Sequence, residues 1–132
     1  MEIDFAFVCD AAEASEATIN ARGIGFDEIY APYVPWTAEF WYVAQLNAHR
    51  NEVGSKVLHI ELIDADGGVI AAMDDTFPVI SPRPGEDTKA RIAIAFAGVS
   101  FPQYGAYSLH FFADHHEMHV VPLTVRAPAT NE

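Results

Sequence analysis

The sequence predicts an all-β fold, a single antiparallel β-sandwich of about seven to nine strands in one domain spanning residues 1–132. First, 51% of the 132 residues are hydrophobic and 20% are charged, so the chain can bury a core without a disulfide or a structural metal. Second, apolar and polar residues alternate over several segments, as they do in half-buried strands. Third, turn-forming stretches rich in Gly, Pro and Asp separate these segments roughly every ten residues, which is typical of sandwiches.

The elements follow from these patterns in chain order. Over residues 10–17, Asp10 can cap the segment DAAEASEA with Glu13 three residues on, so at most one short helix is expected there. The segment EFWYVAQL (39–46) is apolar on both faces, which indicates a central strand or one covered by a partner. Alternating strands are predicted for LHIELI (58–63), ARIAIAF (90–96), YSLHF (107–111) and VPLTV (121–125).

The start of the closing hairpin sharpens the fold. Gly105-Ala106-Tyr107 is similar to the tyrosine corner of immunoglobulin-like sandwiches, in which a tyrosine hydroxyl bonds back to the chain just upstream. The similarity predicts an immunoglobulin-like sandwich and carries no function of its own.

The register of this hairpin decides where its histidines lie. Pairing Phe111 with Val121 keeps the large apolar side chains on the core face, and it sends His110 outward and His119 inward. The alternative register pairs Phe112 with His119 and brings the two histidines together, but it spoils the apolar alternation. The apolar pattern therefore favours the first register.

Several segments carry a family resemblance. An apolar first strand runs into Cys9-Asp10-Ala11, INARGIGFDEIYAP (19–32) follows, Leu62 to Gly67 form a Leu-Ile-Asp-x-Asp-Gly turn, and the last hairpin is of the Gly-x-Tyr type. With these motifs the chain resembles a family of short, uncharacterised bacterial proteins, a domain of unknown function. The resemblance implies an immunoglobulin-like sandwich in a bacterial cytoplasm and brings no catalytic residues. The chain departs from the family at His115, which follows Asp114 where glycine is usual.

Charge and cysteine content limit the partners and the location. The formal net charge is −12, from 19 acidic and 7 basic residues, and such a surface repels nucleic acid and anionic membranes. The one cysteine, Cys9, excludes an intrachain disulfide, and its apolar neighbours indicate a buried thiol. Without a secretory signal or a long apolar run, the chain is expected to be cytoplasmic.

A zinc site is one alternative for the stretch ADHHEMHV. His110, His116 and His119 are the candidate ligands, and zinc needs three or four such ligands converging from a rigid frame. Because adjacent turn histidines diverge, a solvated turn is the favoured interpretation.

A calcium site is the second metal alternative. Asp64 and Asp66, in the turn DADGG, resemble the start of a calcium loop, and Asp74 and Asp75 of the same hairpin can complete an acidic group. The third acidic position and the downstream bidentate Glu of a calcium loop are missing, so an Asp-Gly turn is favoured.

The leading functional hypothesis is a non-enzymatic interaction module that acts through protein–protein contacts or self-association. The sequence contains no GxSxG, P-loop, GxGxxG-helix or HExxH motif, so no catalytic residue is assigned. Tyr30, Tyr33, Trp36 and Trp41 are predicted to form the partner-binding surface, since Tyr and Trp anchor interfaces. The rival hypothesis is a divalent-metal-binding protein or metal-dependent enzyme. A pocket between the sheets for an acyl or sugar ligand also stays open.

Overall fold

The structure, a computed structural model, describes residues 1–15 and 17–128. Strands account for nearly all of its regular structure, so the predicted all-β fold is confirmed. The ten strands within this part of the chain are β1 Glu2–Cys9, β2 Ala11–Ala14, β3 Ile19–Arg22, β4 Glu28–Tyr30, β5 Trp36–Ala48, β6 Gly54–Asp64, β7 Val69–Val79, β8 Thr88–Phe101, β9 Gly105–Ala113 and β10 His116–Arg126. A 3-10 turn, Arg50–Glu52, lies between β5 and β6. Of the helices in these residues, none is long and apolar enough to cross a membrane.

Two main sheets form a sandwich. One has three strands in the order β1-β5-β8, and the other has five in the order β4-β10-β9-β6-β7. Their inner faces meet in one hydrophobic cluster, to which Phe40 and Tyr42 contribute from the first sheet and Ile60, Leu109 and Leu123 from the second. All the pairs are antiparallel except β4 with β10, which is parallel.

Strand β5 is the central strand predicted for residues 39–46. It pairs with β1 on one side and with β8 on the other. Phe40, Tyr42 and Leu46 are almost completely buried in the core, whereas Trp41 points to the other face and is half-buried. One face of β5 therefore belongs to the core, and its other face, at Trp41, is covered in part by β2.

The short helix allowed within residues 10–17 does not form over Ala11–Ala14, and residue 16 lies outside the described residues. Ala11–Ala14 instead pairs antiparallel with Ile19–Arg22 to form a two-stranded sheet. The backbone N–H of Asp10 donates to the carbonyl of Arg22 at 2.9 Å, so Asp10 opens this ladder and does not cap a helix. A helix of two turns is marginal by itself, whereas pairing with β3 hydrogen-bonds the backbone of these residues within a sheet.

The last hairpin turns through two residues in the left-handed region. Asp114 has φ 51° and His115 has φ 69°, and positive φ at both central positions is the geometry of a type I′ turn. The turn joins Ala113 directly to His116, which are paired. His115 thus occupies a position that favours glycine, as the resemblance implies.

Both registers considered for this hairpin are wrong. The tight turn and a β-bulge in β10 place Phe111 opposite His119 and Val121 opposite Leu109. The pairing is shifted by two residues from the favoured register and by one from the Phe112–His119 alternative. A shift of two preserves the faces, so the consequence drawn from the favoured register still holds.

The tyrosine corner is confirmed. The Tyr107 hydroxyl donates to the backbone carbonyl of Gln103 at 2.6 Å and accepts from its N–H at 3.2 Å. Tyr107 also packs edge-on against Phe101 of the other sheet, with ring centroids 5.0 Å apart. The corner therefore fixes the turn before β9 and contributes to the core.

Candidate functional site

Four aromatic side chains lie on or beside the β4–β5 connection and are here called the aromatic surface: Tyr30, Tyr33, Trp36 and Tyr104. The three tyrosines are 57%, 63% and 42% exposed in that order, and Trp36 is half-buried. Exposed side chains of these types are candidates for contact with a partner, since Tyr and Trp are enriched among the residues that anchor interfaces.

Direct contacts hold the aromatic surface in place. The rings of Tyr33 and Trp36 meet edge to face with centroids 5.2 Å apart. The Tyr104 hydroxyl donates to the carbonyl of Ala31 at 2.8 Å, and the N–H of Ala31 donates to the carbonyl of Arg126 at 2.8 Å. Because Ala31 is completely buried, the connection is anchored at its start.

Tyr30 is held by a separate set of polar contacts. Its hydroxyl donates to one carboxylate oxygen of Glu28, and Arg126 Nε donates to the other oxygen at 2.9 Å. The Tyr30 hydroxyl, followed by Arg126, lowers the pKa of Glu28 below its usual value. The Tyr30 ring is thereby fixed along the edge strand β4.

A groove of about 510 Å³ adjoins the aromatic surface through Glu28, which lines it. Its walls combine apolar and acidic side chains: Ile24, Phe26, Ile29, Phe40, Asp10, Glu28 and Glu39. Gly23 lines the groove, has φ +68° and lies so near Asp10 that an added Cβ would stand 2.1 Å from Oδ2. The groove is therefore shaped by a glycine position that tolerates no side chain.

Trp41, the fourth aromatic residue predicted for the partner surface, lies elsewhere. It is paired with Cys9 of β1, and with Ala12 and Ala14 it lines a separate groove of about 420 Å³. Cys9 is completely buried, and burial raises the pKa of its thiol. Tyr104 belongs to the aromatic surface instead, and its distance from residues 30–36 in the sequence concealed this.

The three candidate zinc ligands are not brought together. His110 Nδ1 lies 2.5 Å from Glu117 Oε1 on the outer face of the five-stranded sheet. His119 faces inward, with Nδ1 3.1 Å from the hydroxyl of Tyr42, and His116 is exposed beside the turn. Over residues 1–15 and 17–128 no three His, Cys, Asp or Glu side chains are placed to hold a metal ion.

The candidate calcium ligands serve a turn. Asp64 Oδ1 accepts from the backbone N–H groups of Asp66 at 3.0 Å and Gly68 at 2.8 Å. Asp74 pairs with His59 across β6 and β7, five residues along β6 from Asp64, or about 17 Å at the usual rise of a strand. The acidic group suggested for this hairpin is therefore not assembled.

A polar network missed by the sequence analysis lies on the outer face of the five-stranded sheet. His59 Nδ1 is 2.6 Å from Asp74 Oδ1 and its Nε2 is 2.8 Å from Glu61 Oε1. The bond to Glu61, then that to Asp74, raises the pKa of His59. Glu61 is paired with His110 on β9, so two carboxylate-bound histidines lie on neighbouring strands.

Fold and surface together define an all-β sandwich protein with an exposed aromatic surface and a histidine–carboxylate network on one sheet. The chain belongs to a family of unknown function (DUF6941), whose model matches residues 4–126. The resemblance to an uncharacterised domain family is thereby confirmed. Comparison with curated proteins finds no match.

Proposed function

We propose that the protein is a binding module that contacts a protein partner through the aromatic surface and the adjoining groove. The observation that carries this proposal is the exposure of three tyrosines on or beside the connection that leads to Trp36, which is anchored by buried Ala31. Tyrosine and tryptophan are enriched among the residues that dominate binding energy. Rings that are already held in place lose little conformational freedom on binding.

The groove suggests the chemistry of the partner. Asp10, Glu28 and Glu39 line it beside the apolar Ile24 and Phe26, and the whole chain carries a formal net charge of −12. A partner segment with basic and apolar side chains complements such walls. The same charge supports a protein partner over nucleic acid or an anionic membrane.

The proposal includes an immunoglobulin-like topology and a bacterial cytoplasmic location. Parallel pairing of the short β4 with the last strand and the Tyr107 corner support the immunoglobulin-like assignment, since a corner tyrosine near the start of the penultimate strand marks such sandwiches. The single cysteine supports a reducing compartment, where disulfides are rare.

Affinity capture with matched variants tests the binding function. The protein and the variants Tyr33→Ala and Phe5→Ala are used as bait in lysate of the source cells at low and high salt. Phe5 is a matched control because it is an aromatic residue, 40% exposed, on β1. We expect a partner that wild type and Phe5→Ala retain, that Tyr33→Ala loses, and that high salt weakens.

Two results contradict the proposal. One is an identical set of captured proteins for wild type and Tyr33→Ala. The other is capture lost equally with Phe5→Ala, which would point to a general effect of removing an exposed ring. Light scattering of the eluted protein distinguishes a second copy of this chain from a different partner.

A further inference from the structure

Three side chains on the outer face of the five-stranded sheet form a continuous hydrogen-bonded chain. Ser108 Oγ lies 2.8 Å from His110 Nε2, and His110 Nδ1 lies 2.5 Å from Glu117 Oε1. Ser108 and His110 are half-buried and Glu117 is exposed. A hydroxyl, an imidazole and a carboxylate in this order are the parts of a nucleophilic triad.

The sheet explains how the three groups meet. Ser108 and His110 are two residues apart on β9, so both side chains point away from the core. Glu117 is paired with Phe112 and is therefore a diagonal neighbour of His110 on the same face. The two-residue turn and the bulge that follows it place Glu117 within reach of the ring.

The hydrogen bonds also settle which ring nitrogen carries the proton. An ionised carboxylate only accepts, so the bond to Glu117 requires a proton on Nδ1 of His110. In a neutral imidazole Nε2 then carries the lone pair and accepts from the Ser108 hydroxyl. This is the protonation state in which a histidine acts as a general base toward serine.

We propose that Ser108 is an activated nucleophile, with His110 as its general base and Glu117 as a positioning residue, and that it accepts acyl groups from small activated carboxylic esters. None of the three residues belongs to the aromatic surface, so this activity is independent of the proposed binding function. Catalytic triads are recognised by their geometry and not by the order of their residues in the sequence. For this reason no sequence motif indicates the group.

The neighbours of Ser108 determine the class of ester. Ile63 on β6 and Pro122 on β10 are its cross-strand partners, and Val120, opposite His110, is 44% exposed. These side chains favour an apolar leaving group. Proline has no N–H, so β10 offers no backbone donor opposite Ser108 for a developing oxyanion. Loss of such a donor costs about 100-fold or more in rate, and therefore we expect activated aryl esters, not peptide amides, to react.

The chemical step is ordinary acyl transfer. Ser108 Oγ attacks the carbonyl carbon while its proton passes to His110 Nε2. The bond from the carbonyl carbon to the leaving oxygen then breaks, and the leaving oxygen keeps the electron pair and takes the proton from His110. Water, deprotonated by His110, afterwards attacks the acyl group on Ser108, releases the acid and restores the hydroxyl.

Two probes test the proposal on the intact protein. p-Nitrophenyl acetate reports acylation through release of p-nitrophenol, and a fluorophosphonate labels activated serines for mapping by peptide mass spectrometry. We expect both modifications of the wild-type protein to map to Ser108. Ser108→Ala should abolish them, whereas Ser100→Ala, which removes an exposed serine of β8, should change nothing.

Variants of the other two groups separate their roles. His110→Gln should slow acylation of Ser108 by about 100-fold or more, the usual contribution of a general base. Glu117→Gln should slow it as well, because an amide can stabilise the wrong tautomer, and Glu117→Asp should restore part of the rate. A purely structural role for Glu117 would give no rescue by aspartate.

The proposal is overturned if wild-type protein takes up no label, or if the label is spread equally over Ser100 and Ser108. It is also overturned if the His110→Gln variant, shown by circular dichroism to be folded, is acylated at Ser108 as fast as wild type. The mapping on wild-type protein needs no variant and decides the question even if a variant fails to fold.

Discussion

A buried hydrogen bond between the two sheets gives the sharpest prediction about stability. Tyr42 of β5 is completely buried, and its hydroxyl lies 3.1 Å from Nδ1 of His119 on β10. Burial raises the pKa of Tyr42 and lowers the pKa of His119. At neutral pH the hydroxyl is therefore the donor and the neutral imidazole the acceptor.

Removing Tyr42's hydroxyl and removing His119's ring should lower the free energy of unfolding by different amounts. Tyr42→Phe deletes the hydroxyl and leaves a nitrogen on His119, which is only half-buried, so we expect a loss of about 1 kcal/mol. His119→Val leaves the hydroxyl of Tyr42 buried without its acceptor, and such a group costs about 1–3 kcal/mol. Adding Tyr42→Phe to His119→Val should then cost little or nothing, since the stranded hydroxyl is gone.

Urea unfolding followed by tryptophan fluorescence measures all three variants against wild type. Thermal unfolding of the same variants gives a second readout, since for a chain of this size a loss of 1 kcal/mol lowers Tm by roughly 3–6 °C. The reasoning is refuted if Tyr42→Phe costs more than His119→Val, or if its cost is unchanged in the His119→Val background.

Burial of His119, which lowers its pKa, predicts a loss of stability in acid. The pKa of His119 is lower in the folded protein than in the unfolded chain, so the unfolded chain binds the proton first as the pH falls below about 6.5. The free energy of unfolding should therefore decrease as the pH falls through this range. His119→Val should flatten that part of the pH profile, and an unchanged slope would contradict the assignment.

Three further predictions follow from other contacts. His59 has a raised pKa in the folded protein. The free energy that its protonated form adds to folding is therefore fully present below about pH 6.5 and is lost as the pH rises through the folded pKa. His59→Gln should remove this pH dependence when urea unfolding is compared at about pH 5 and 9. Tyr107→Phe removes the corner bond to the upstream backbone and should cost about 1 kcal/mol by the same assay, and no loss would argue against the corner as a stabilising feature. Gly23→Ala should lower Tm more than Gly25→Ala, because both have positive φ but only the first places a methyl group 2.1 Å from Asp10; equal losses would exclude the clash as the cause.

The sequence alone determined the features that depend on residues two apart. Alternation of apolar side chains indicated the strands, the double-sided apolar segment 39–46 identified the central strand, and Gly105-Ala106-Tyr107 located the corner. The buried state of Cys9 followed from its apolar neighbours in the same way. These properties are local, so one segment contains the information.

Features that join separate segments were decided by the tertiary structure. Residues 10–17 have helical capping signals, yet the ladder with Ile19–Arg22 makes their first part a strand. Trp41 and Trp36 are five residues apart on one strand, but the alternation of a strand sends them to opposite faces. Tyr104 joins the aromatic surface through its bond to Ala31, a contact that no local pattern contains.

The last hairpin shows the division most clearly. Its sequence determined that two strands return on each other and that His110 and His119 face opposite sides, because that parity follows from the apolar alternation. The pairing itself depended on left-handed backbone at Asp114 and His115 and on a bulge after the turn. Turn geometry and bulges shift the pairing register by whole residues while the alternation of apolar residues in the sequence stays the same. Only the folded chain could therefore place Glu117 beside His110.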